Sequence, residues 1–204
     1  MNYELAYRIG FHPWEDAERQ LGFVERLSEL LADEESGYHP PHGAVLDIGT
    51  GSGIWAVRLA ERGWQVTAVD IVGKALERAR ARARERGADV QLVQADVTAL
   101  RAAGVTGPFR LLLDTGTFHG LDKAERITAG RELSAVADPA ATILMLAWAP
   151  RRRGPLPRGA SHSEVAAAFP DWEVTDLGPT EFQAPKPVEL LMRPGERWYR
   201  LRRR

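Results

Sequence analysis

The stretch Val45–Leu59, VLDIGTGSGIWAVRL, decides the fold of this chain. Apolar residues lead into Asp47, and Gly49, Gly51 and Gly53 then follow at alternate positions. The apolar positions after the last glycine have helical spacing, so the stretch predicts a strand, a tight glycine turn and a helix. Glycines in such a turn permit positive φ angles and let a ligand lie against main-chain N–H groups at the helix start. The stretch is therefore a candidate binding site for a nucleotide-like cofactor.

The glycine spacing separates two cofactor classes. A dinucleotide fingerprint is GxGxxG, and its third glycine would stand where this chain has Ile54. The spacing thus argues against NAD. The string DIGTGSG resembles instead motif I of the class I S-adenosylmethionine-dependent methyltransferases. This resemblance implies cofactor contacts from five residues of the string: Asp47, Gly49, Thr50, Gly51 and Gly53.

Acidic residues follow the next two predicted strands. Gln65–Asp70 alternates into a strand that ends on an acid, and a carboxylate there can accept hydrogen bonds from both hydroxyls of a ribose. The alternative for Asp70 is an N-cap of the next helix. In the family resembled, residues after the third strand, here Val90–Gln94, contact the adenine ring. The resemblance implies four further cofactor contacts: Asp70, Ile71, Asp96 and Val97.

The fourth predicted strand, Phe109–Leu113, ends in DTGTFHGLD. In a doubly wound sheet the carboxyl end of a strand beside the first borders the binding crevice, so Asp114–Gly120 should line the site. The segment is similar to one in small-molecule methyltransferases of the thiopurine and tellurite-resistance kind, which implies cofactor contacts from Asp114 and Thr115. Asp114 and His119 are the candidate catalytic residues. Histidine is a base near neutral pH, and the alternative for His119 is a structural imidazole bonded to a backbone carbonyl.

Aromatic and imidazole rings are the candidates for substrate binding: Trp14, Phe118, His119 and Trp148. In the family resembled, N-terminal segments often form a lid, which implies a lid role for Tyr7, Phe11 and Trp14. Plain packing is the alternative. Aromatic faces stabilise a sulfonium much as they stabilise an ammonium, which suits Trp14, Trp55 or Phe118.

Strands that alternate with helices predict a mainly parallel sheet covered by helices. The resemblance implies one α/β domain with a Rossmann-like, doubly wound, seven-stranded sheet, closed by an antiparallel hairpin of Trp172–Leu177 and Arg197–Arg202. The length of 204 residues and the hydrophobic content of 44% also favour a single domain. Its expected parts are a helical lid segment (1–43), a cofactor-binding core (44–148), and a substrate-side loop with the closing strands (149–204).

Composition excludes several classes of site and partner. The chain has no cysteine, so disulfides, zinc–thiolate sites and cysteine nucleophiles are excluded. His39 and His42 lack metal-ligand spacing and are predicted as solvated loop residues, and no metal is expected. The net charge of -1 gives no strong signal for nucleic acid, and the terminal arginines are predicted as a frayed, solvated end. With no signal-peptide pattern and no long apolar run, a cytoplasmic protein that does not enter a membrane is expected.

The function favoured is S-adenosylmethionine-dependent methyl transfer to an O, N or S atom of a small organic acceptor, by in-line displacement without a metal, in a monomer or homodimer. Asp114 is not followed by the proline and aromatic of amino-methylating nucleic-acid enzymes, and asparagine occurs only at Asn2, against the metal-dependent catechol type. Three alternatives stay open. They are a methyltransferase acting on RNA or protein, an NAD-dependent oxidoreductase, and a cofactor-binding module without catalysis.

Overall fold

The computed structural model describes residues 21–151, 157–179 and 195–204. The helices in these ranges are α1 (Leu21–Glu35), α2 (Ile54–Glu61), α3 (Gly73–Arg86), α4 (Lys123–Val136) and α5 (His162–Ala168). The strands are β1 (Ala44–Ile48), β2 (Gln65–Asp70), β3 (Val90–Gln94), β4 (Phe109–Asp114), β5 (Ala137–Ala147), β6 (Trp172–Pro179) and β7 (Arg197–Arg203). A 3₁₀ turn, Phe118–Gly120, lies between β4 and α4.

The strands form one seven-stranded sheet in the order β3-β2-β1-β4-β5-β7-β6. Strands β1 to β5 pair in parallel, whereas β7 runs antiparallel to both β5 and β6. The predicted sheet, mostly parallel with a closing antiparallel hairpin, is confirmed. The chain builds outward from β1 to β3 and then crosses to β4 on the other side of β1. Strand order reverses there, so the carboxyl ends of β1 and β4 border a crevice.

The core has two layers, one on each face of the sheet. Alternate residues of a strand contribute to opposite layers: Val45 packs in the layer that contains α1 and α2, and Leu46 packs in the layer against α4 and α5. The apolar residues of α1 that fall on one face are buried: Phe23, Leu27, Leu30 and Leu31. Both faces of the sheet are covered, which is why its central strands are almost continuously apolar.

Strand β5 begins earlier than the sequence predicts. The pair Asp138 and Pro139 indicates a turn after α4, with a strand over Thr142–Ala147. The structure instead pairs Ala137 with Phe109, and the register shifts before Thr142 pairs with Leu111. The intervening residues form an irregular extension of the strand, so the Asp-Pro pair interrupts the ladder without ending it.

The terminal arginines are exposed, as predicted, but they are not frayed, because β7 extends to Arg203. The guanidinium of Arg200 lies 2.9 Å from the Glu34 carboxylate and 3.0 Å from that of Asp33. Arg202 also faces Glu34, at 3.5 Å. Because β7 lies between β5 and β6, the side chains on one of its faces meet the acidic last turn of α1.

His42 also differs from its prediction as a solvated residue. Its ring is buried, with its centroid 5.5 Å from that of Trp64. Across residues 21–151, 157–179 and 195–204, no cluster of three or more metal-ligating side chains is present. None of the helices in the same ranges has the length and apolar composition needed to cross a bilayer.

Candidate active site

The glycine turn after β1 is a left-handed backbone segment packed closely against its neighbours. Gly49, Gly51 and Gly53 have φ angles of 64°, 55° and 75°, a region that residues with side chains rarely adopt. A Cβ atom at Gly49 would lie 1.9 Å from Oγ1 of Thr117, and one at Gly53 would lie 2.8 Å from Cβ of Ala79. Positions 49 and 53 therefore require glycine for both dihedral and space.

The carboxylate of Asp70 joins the glycine turn to the end of β2. Its Oδ2 accepts the N–H of Gly51 at 2.9 Å, and its Oδ1 accepts the N–H of Val72 at 2.8 Å. The N–H of Thr50 donates to the carbonyl before Asp70 at 2.9 Å. Asp70 is 9% exposed, while the side chain of Ile71 beside it is 57% exposed. The structure thus brings these strand-end residues together, and each carboxylate oxygen has the capacity for a second hydrogen bond.

Asp96 and Val97 follow β3, beside the end of β2. The N–H of Ala95 donates to the carbonyl of Asp70 at 3.1 Å, which ties the two strand ends together. Asp96 is exposed, and its Oδ1 accepts from the N–H and hydroxyl of Thr98 at 2.8 and 2.7 Å. Val97 directs its side chain into the core. Asp96 alone of this pair offers a side chain at the surface.

Asp47 and Asp114 form a buried acidic pair at the ends of β1 and β4, each 1% exposed. Asp47 accepts the hydroxyl hydrogen of Thr50 at 2.6 Å. Burial raises the pKa of Asp47 to about 7, and the nearby charges of Asp70 and Asp114 act in the same direction. Burial likewise raises the pKa of Asp114 to about 6, against the opposing effect of backbone hydrogen bonds.

Asp114 accepts three backbone N–H groups of the turn that follows it, and its catalytic role stays a prediction. Its Oδ1 accepts the N–H groups of Gly116 and Thr117 at 2.8 and 2.7 Å, and its Oδ2 accepts that of Phe118 at 3.0 Å. These three hydrogen bonds shape the turn after β4. Thr115, the first residue of that turn, is half-buried.

His119 and Trp148 meet at the ends of β4 and β5. Their rings stack with centroids 4.9 Å apart and planes at 19°. The backbone N–H of Trp148 donates to Nδ1 of His119 at 3.4 Å. His119 is 4% exposed and Trp148 is half-buried. The structure therefore places both predicted residues in one wall of the crevice.

Phe118 is the third predicted ring whose surroundings the structure describes. Phe118 is 1% exposed and packs in the core, with its ring centroid 5.9 Å from that of Phe169. The ring faces the core, and its role in substrate binding stays a prediction. Trp14 lies outside the described residues, as do Tyr7 and Phe11.

Arg126 is a site residue that the sequence reasoning missed. Its guanidinium is buried and donates to the carbonyls of Phe118 and His119 at 3.3 and 3.1 Å and to that of Gly159. It also lies 2.9 Å from the carboxylate of Glu164. Arg126 lies in α4, three residues after Lys123. No pattern in the sequence around it predicts its role, because its partners come from three separate segments of the chain. Arg126 fixes the turn that carries His119.

Glu196 was also missed. It is 8% exposed, and its Oε1 accepts the indole N–H of Trp148 at 3.1 Å. Burial raises the pKa of Glu196 to about 7, although the hydrogen bond from Trp148 opposes this effect. A charged residue before a predicted strand is usually solvated, so only the antiparallel pairing of β7 with β5 reveals its position.

Comparison with known proteins agrees with this architecture. Residues 45–140 match the family model described as a methyltransferase domain. The 2-heptyl-1-hydroxyquinolin-4(1H)-one methyltransferase of Mycobacteroides abscessus is 30% identical over 150 residues, covering 70% of this chain and 64% of that protein. The release factor glutamine methyltransferase of Deinococcus radiodurans is 38% identical over 112 residues, covering 54% of this chain and 37% of that protein. The chain thus spans less than two thirds of the length of either relative.

Solved structures share the fold across the chain. The N-methyltransferase NodS from Bradyrhizobium japonicum, in complex with S-adenosylhomocysteine, superposes with a TM-score of 0.75 at 18% identity, covering 100% of this chain and 99% of that one. The Burkholderia thailandensis 1,6-didemethyltoxoflavin-N1-methyltransferase gives 0.72 at 21% identity, covering 99% and 85%. In its matched region and in its fold, the chain is thus similar to S-adenosylmethionine-dependent methyltransferases.

Proposed function

We propose that this protein transfers a methyl group from S-adenosylmethionine to an O, N or S atom of a small organic acceptor, by direct in-line displacement and without a metal. The observation that carries the proposal is the contact between Asp70 and Gly51, at 2.9 Å. It joins the positive-φ glycine turn after β1, where the strand order reverses, to the acid at the end of β2.

The residues at this edge of the sheet fit the adenosyl part of the cofactor. Asp70 has acceptor capacity for the ribose hydroxyls, and exposed Ile71 offers an apolar surface beside it. Asp96, at the end of the neighbouring strand, is an acceptor suited to the adenine amino group. A side chain on Gly49 would collide with Thr117, so the close approach of the turns after β1 and β4 requires glycine at this position.

The acids of the site fit a cationic cofactor. Asp47, Asp70 and Asp114 lie near enough that the charges of the latter two raise the pKa of Asp47. Neither Asp47 nor Asp114 has a salt bridge to a basic side chain within the described ranges. A ligand with a positive charge near them would relieve this repulsion.

Most of the rate would come from alignment. S-adenosylmethionine supplies a methyl group already activated on a sulfonium. The turns after β1 and β4 are rigid, since Asp70 and Asp114 each accept several backbone N–H groups, and such a frame holds reacting atoms in line. The stacked rings of His119 and Trp148 border the crevice and would exclude water from it.

A small aromatic or heteroaromatic hydroxyl is the acceptor that the comparisons favour. The Mycobacteroides abscessus relative is named for a hydroxyquinolinone, and a further relative, from Paracidovorax citrulli, is a ubiquinone biosynthesis O-methyltransferase, 35% identical over 99 residues. A methyltransferase acting on RNA or protein is the second candidate, supported by the release factor relative. Against it, Arg200 and Arg202 face the carboxylate of Glu34 at the end of α1.

The architecture expected for this function is one domain over residues 1–204. In it residues 1–43 contribute a lid that includes Trp14, and residues 149–204 form the acceptor side. We infer a monomer or homodimer that works in the cytoplasm. Size-exclusion chromatography with light scattering measures the oligomeric state, and cell fractionation tests the location.

Binding calorimetry tests the proposed function. The wild-type protein is titrated with S-adenosylmethionine, S-adenosylhomocysteine and NAD, and binding of the first two but not NAD is expected. Asp70→Asn should weaken S-adenosylhomocysteine binding by about 1–3 kcal/mol, because buried hydroxyls lose a charged acceptor. The matched control is Asp89→Asn, an exposed acid at the amino end of β3, which should leave affinity unchanged. Preference for NAD, or equal affinity of both variants, would overturn the proposal.

A further inference from the structure

His119, Trp148 and Glu196 form one polar wall, here called the 119–148–196 cluster. The last ladder pair of β5 and β7 is Ala147 with Arg197, and the N–H of Ala149 donates to the carbonyl of Gly195 at 3.2 Å. The antiparallel pairing therefore continues past the strands and sets Trp148 opposite Glu196. Side chains opposite each other lie on one face of a sheet, which explains the hydrogen bond between them.

The cluster fixes the tautomer of His119. The backbone N–H of Trp148 donates to Nδ1 of His119 at 3.4 Å. A ring nitrogen that accepts a hydrogen bond carries no proton, so the neutral imidazole holds its proton on Nε2. Ring stacking on Trp148 keeps the imidazole in this orientation. Nε2 of His119 is therefore an N–H donor, whereas a general base needs a nitrogen without a proton.

Glu196 holds Trp148 in place and has unusual surroundings for a carboxyl group. Its Oε1 accepts from the indole, while its Oε2 is buried and has no hydrogen-bond partner among the described residues. No salt bridge among the described residues includes it. The neighbouring charge, Arg197, is directed to Asp176 at 2.8 Å, and among the described residues His119 is the other titratable group of the cluster. Burial without a cation favours the neutral carboxyl, with a pKa of about 7.

We propose that His119 acts as a hydrogen-bond donor through Nε2–H, held in that tautomer by Trp148 and its positioning residue Glu196, and that the acceptors are acidic hydroxyl compounds that react as oxyanions. This rests on the proposed function and narrows its acceptor class. The oxyanion forms its bond to the methyl carbon, whose bond to sulfur breaks with the electron pair remaining on sulfur. The acceptor has already lost its proton to water, so no residue needs to take it. Ionised Glu196 would repel such an oxyanion, and neutral Glu196 would not.

Nuclear magnetic resonance tests the tautomer without any cofactor or acceptor. In protein labelled with ¹⁵N at histidine, long-range correlation spectra should show the proton of His119 on Nε2, with His119→Gln identifying the signals. The indole N–H of Trp148, assigned with Trp148→Phe, should shift with a midpoint near pH 7, and this shift should vanish in Glu196→Gln. A proton on Nδ1, or an indole signal that does not titrate, overturns the proposal.

The pH profile of turnover is the second arm, with 2-heptyl-1-hydroxyquinolin-4(1H)-one as the probe. The kcat/KM of the wild type should rise as the probe ionises and fall above about pH 7 as Glu196 ionises. Glu196→Gln should lose only the alkaline limb, while the control Glu173→Gln, an exposed residue of β6, keeps both limbs. His119→Gln, which retains an N–H donor, should stay within about 10-fold of the wild type, and His119→Ala should lose about 10²-fold. An unchanged alkaline limb in Glu196→Gln, or equal losses for both His119 variants, contradicts the proposal.

The two proposals fail separately. S-adenosylhomocysteine affinity, measured by calorimetry, should be the same within about twofold in all of these variants. Absent binding in the wild type overturns the proposed function. Normal binding together with a proton on Nδ1 of His119 overturns only the proposed roles of His119 and Glu196. The magnetic resonance result decides between these roles even if the protein does not turn over the probe.

Discussion

At the scale of single residues, the site depends on backbone that only glycine supplies. Gly49 and Gly87 have almost the same dihedral, with φ of 64° and 61°. A Cβ atom at Gly49 would collide with Oγ1 of Thr117, whereas one at Gly87 would meet nothing within 4 Å. The pair separates the cost of the dihedral from the cost of the collision.

Gly49→Ala should lower the free energy of unfolding by about 2–4 kcal/mol, and Gly87→Ala by only about 1 kcal/mol, because both strain φ but only the first pushes the turns after β1 and β4 apart. Urea denaturation measures both values. S-adenosylhomocysteine affinity should fall only in Gly49→Ala. Equal destabilisation of the two variants would show that the contact with Thr117 is easily relieved.

At the scale of elements, Arg126 connects α4 to the turn that carries His119 and to the segment around Gly159. Its donors serve three carbonyl groups and the carboxylate of Glu164. A buried guanidinium whose partners are all backbone or carboxylate oxygens holds these segments in register, and its removal leaves buried carbonyls without donors.

Arg126→Ala should destabilise the protein by about 3–5 kcal/mol, with faster amide hydrogen exchange at residues 118–120 and 157–161. Arg131→Ala, an exposed arginine of the same helix, is the control and should change stability by less than about 0.5 kcal/mol. Hydrogen exchange with mass spectrometry locates the effect. Faster exchange spread evenly over the sheet would argue against a local role.

The sequence predicts elements whose cause is local and misses contacts whose cause is not. Period-2 and helical spacing predict the strand and helix order well, and strand-end acids such as Asp70 follow from the rule that parallel strands present their carboxyl ends together. The start of β5 is missed because Asp138 and Pro139 resemble a turn until the pairing with β4 is known. Arg126 and Glu196 are missed because their partners lie up to 48 residues away. Nothing in the neighbouring sequence marks them.

At the scale of the whole molecule, buried carboxyl groups govern the response to pH. Burial raises the pKa of Asp47 and Glu196 to about 7 and that of Asp114 to about 6. Between pH 4 and these values the folded protein holds protons that the unfolded chain has lost. Unfolding then releases protons, so stability falls as pH rises through this window. Glu132, whose pKa Arg101 lowers, has the opposite effect but only below about pH 4.5.

The free energy of unfolding should therefore fall between pH 5 and pH 7, by about 1.4 kcal/mol per pH unit for each carboxyl that stays protonated. Urea denaturation at pH 5, 6, 7 and 8 measures the slope. Glu196→Gln should reduce this slope by the contribution of one carboxyl group. A free energy of unfolding that rises across this range would contradict the assignment of these groups.

The position of β7 between β5 and β6 has a consequence for synthesis on the ribosome. Strand β6 is made first, yet it has no partner until β7 has emerged to link it to β5. Until then the apolar edge of β5 is unpaired and open to association with other nascent chains. Chaperone capture should therefore be greatest for nascent chains that stop before Arg197.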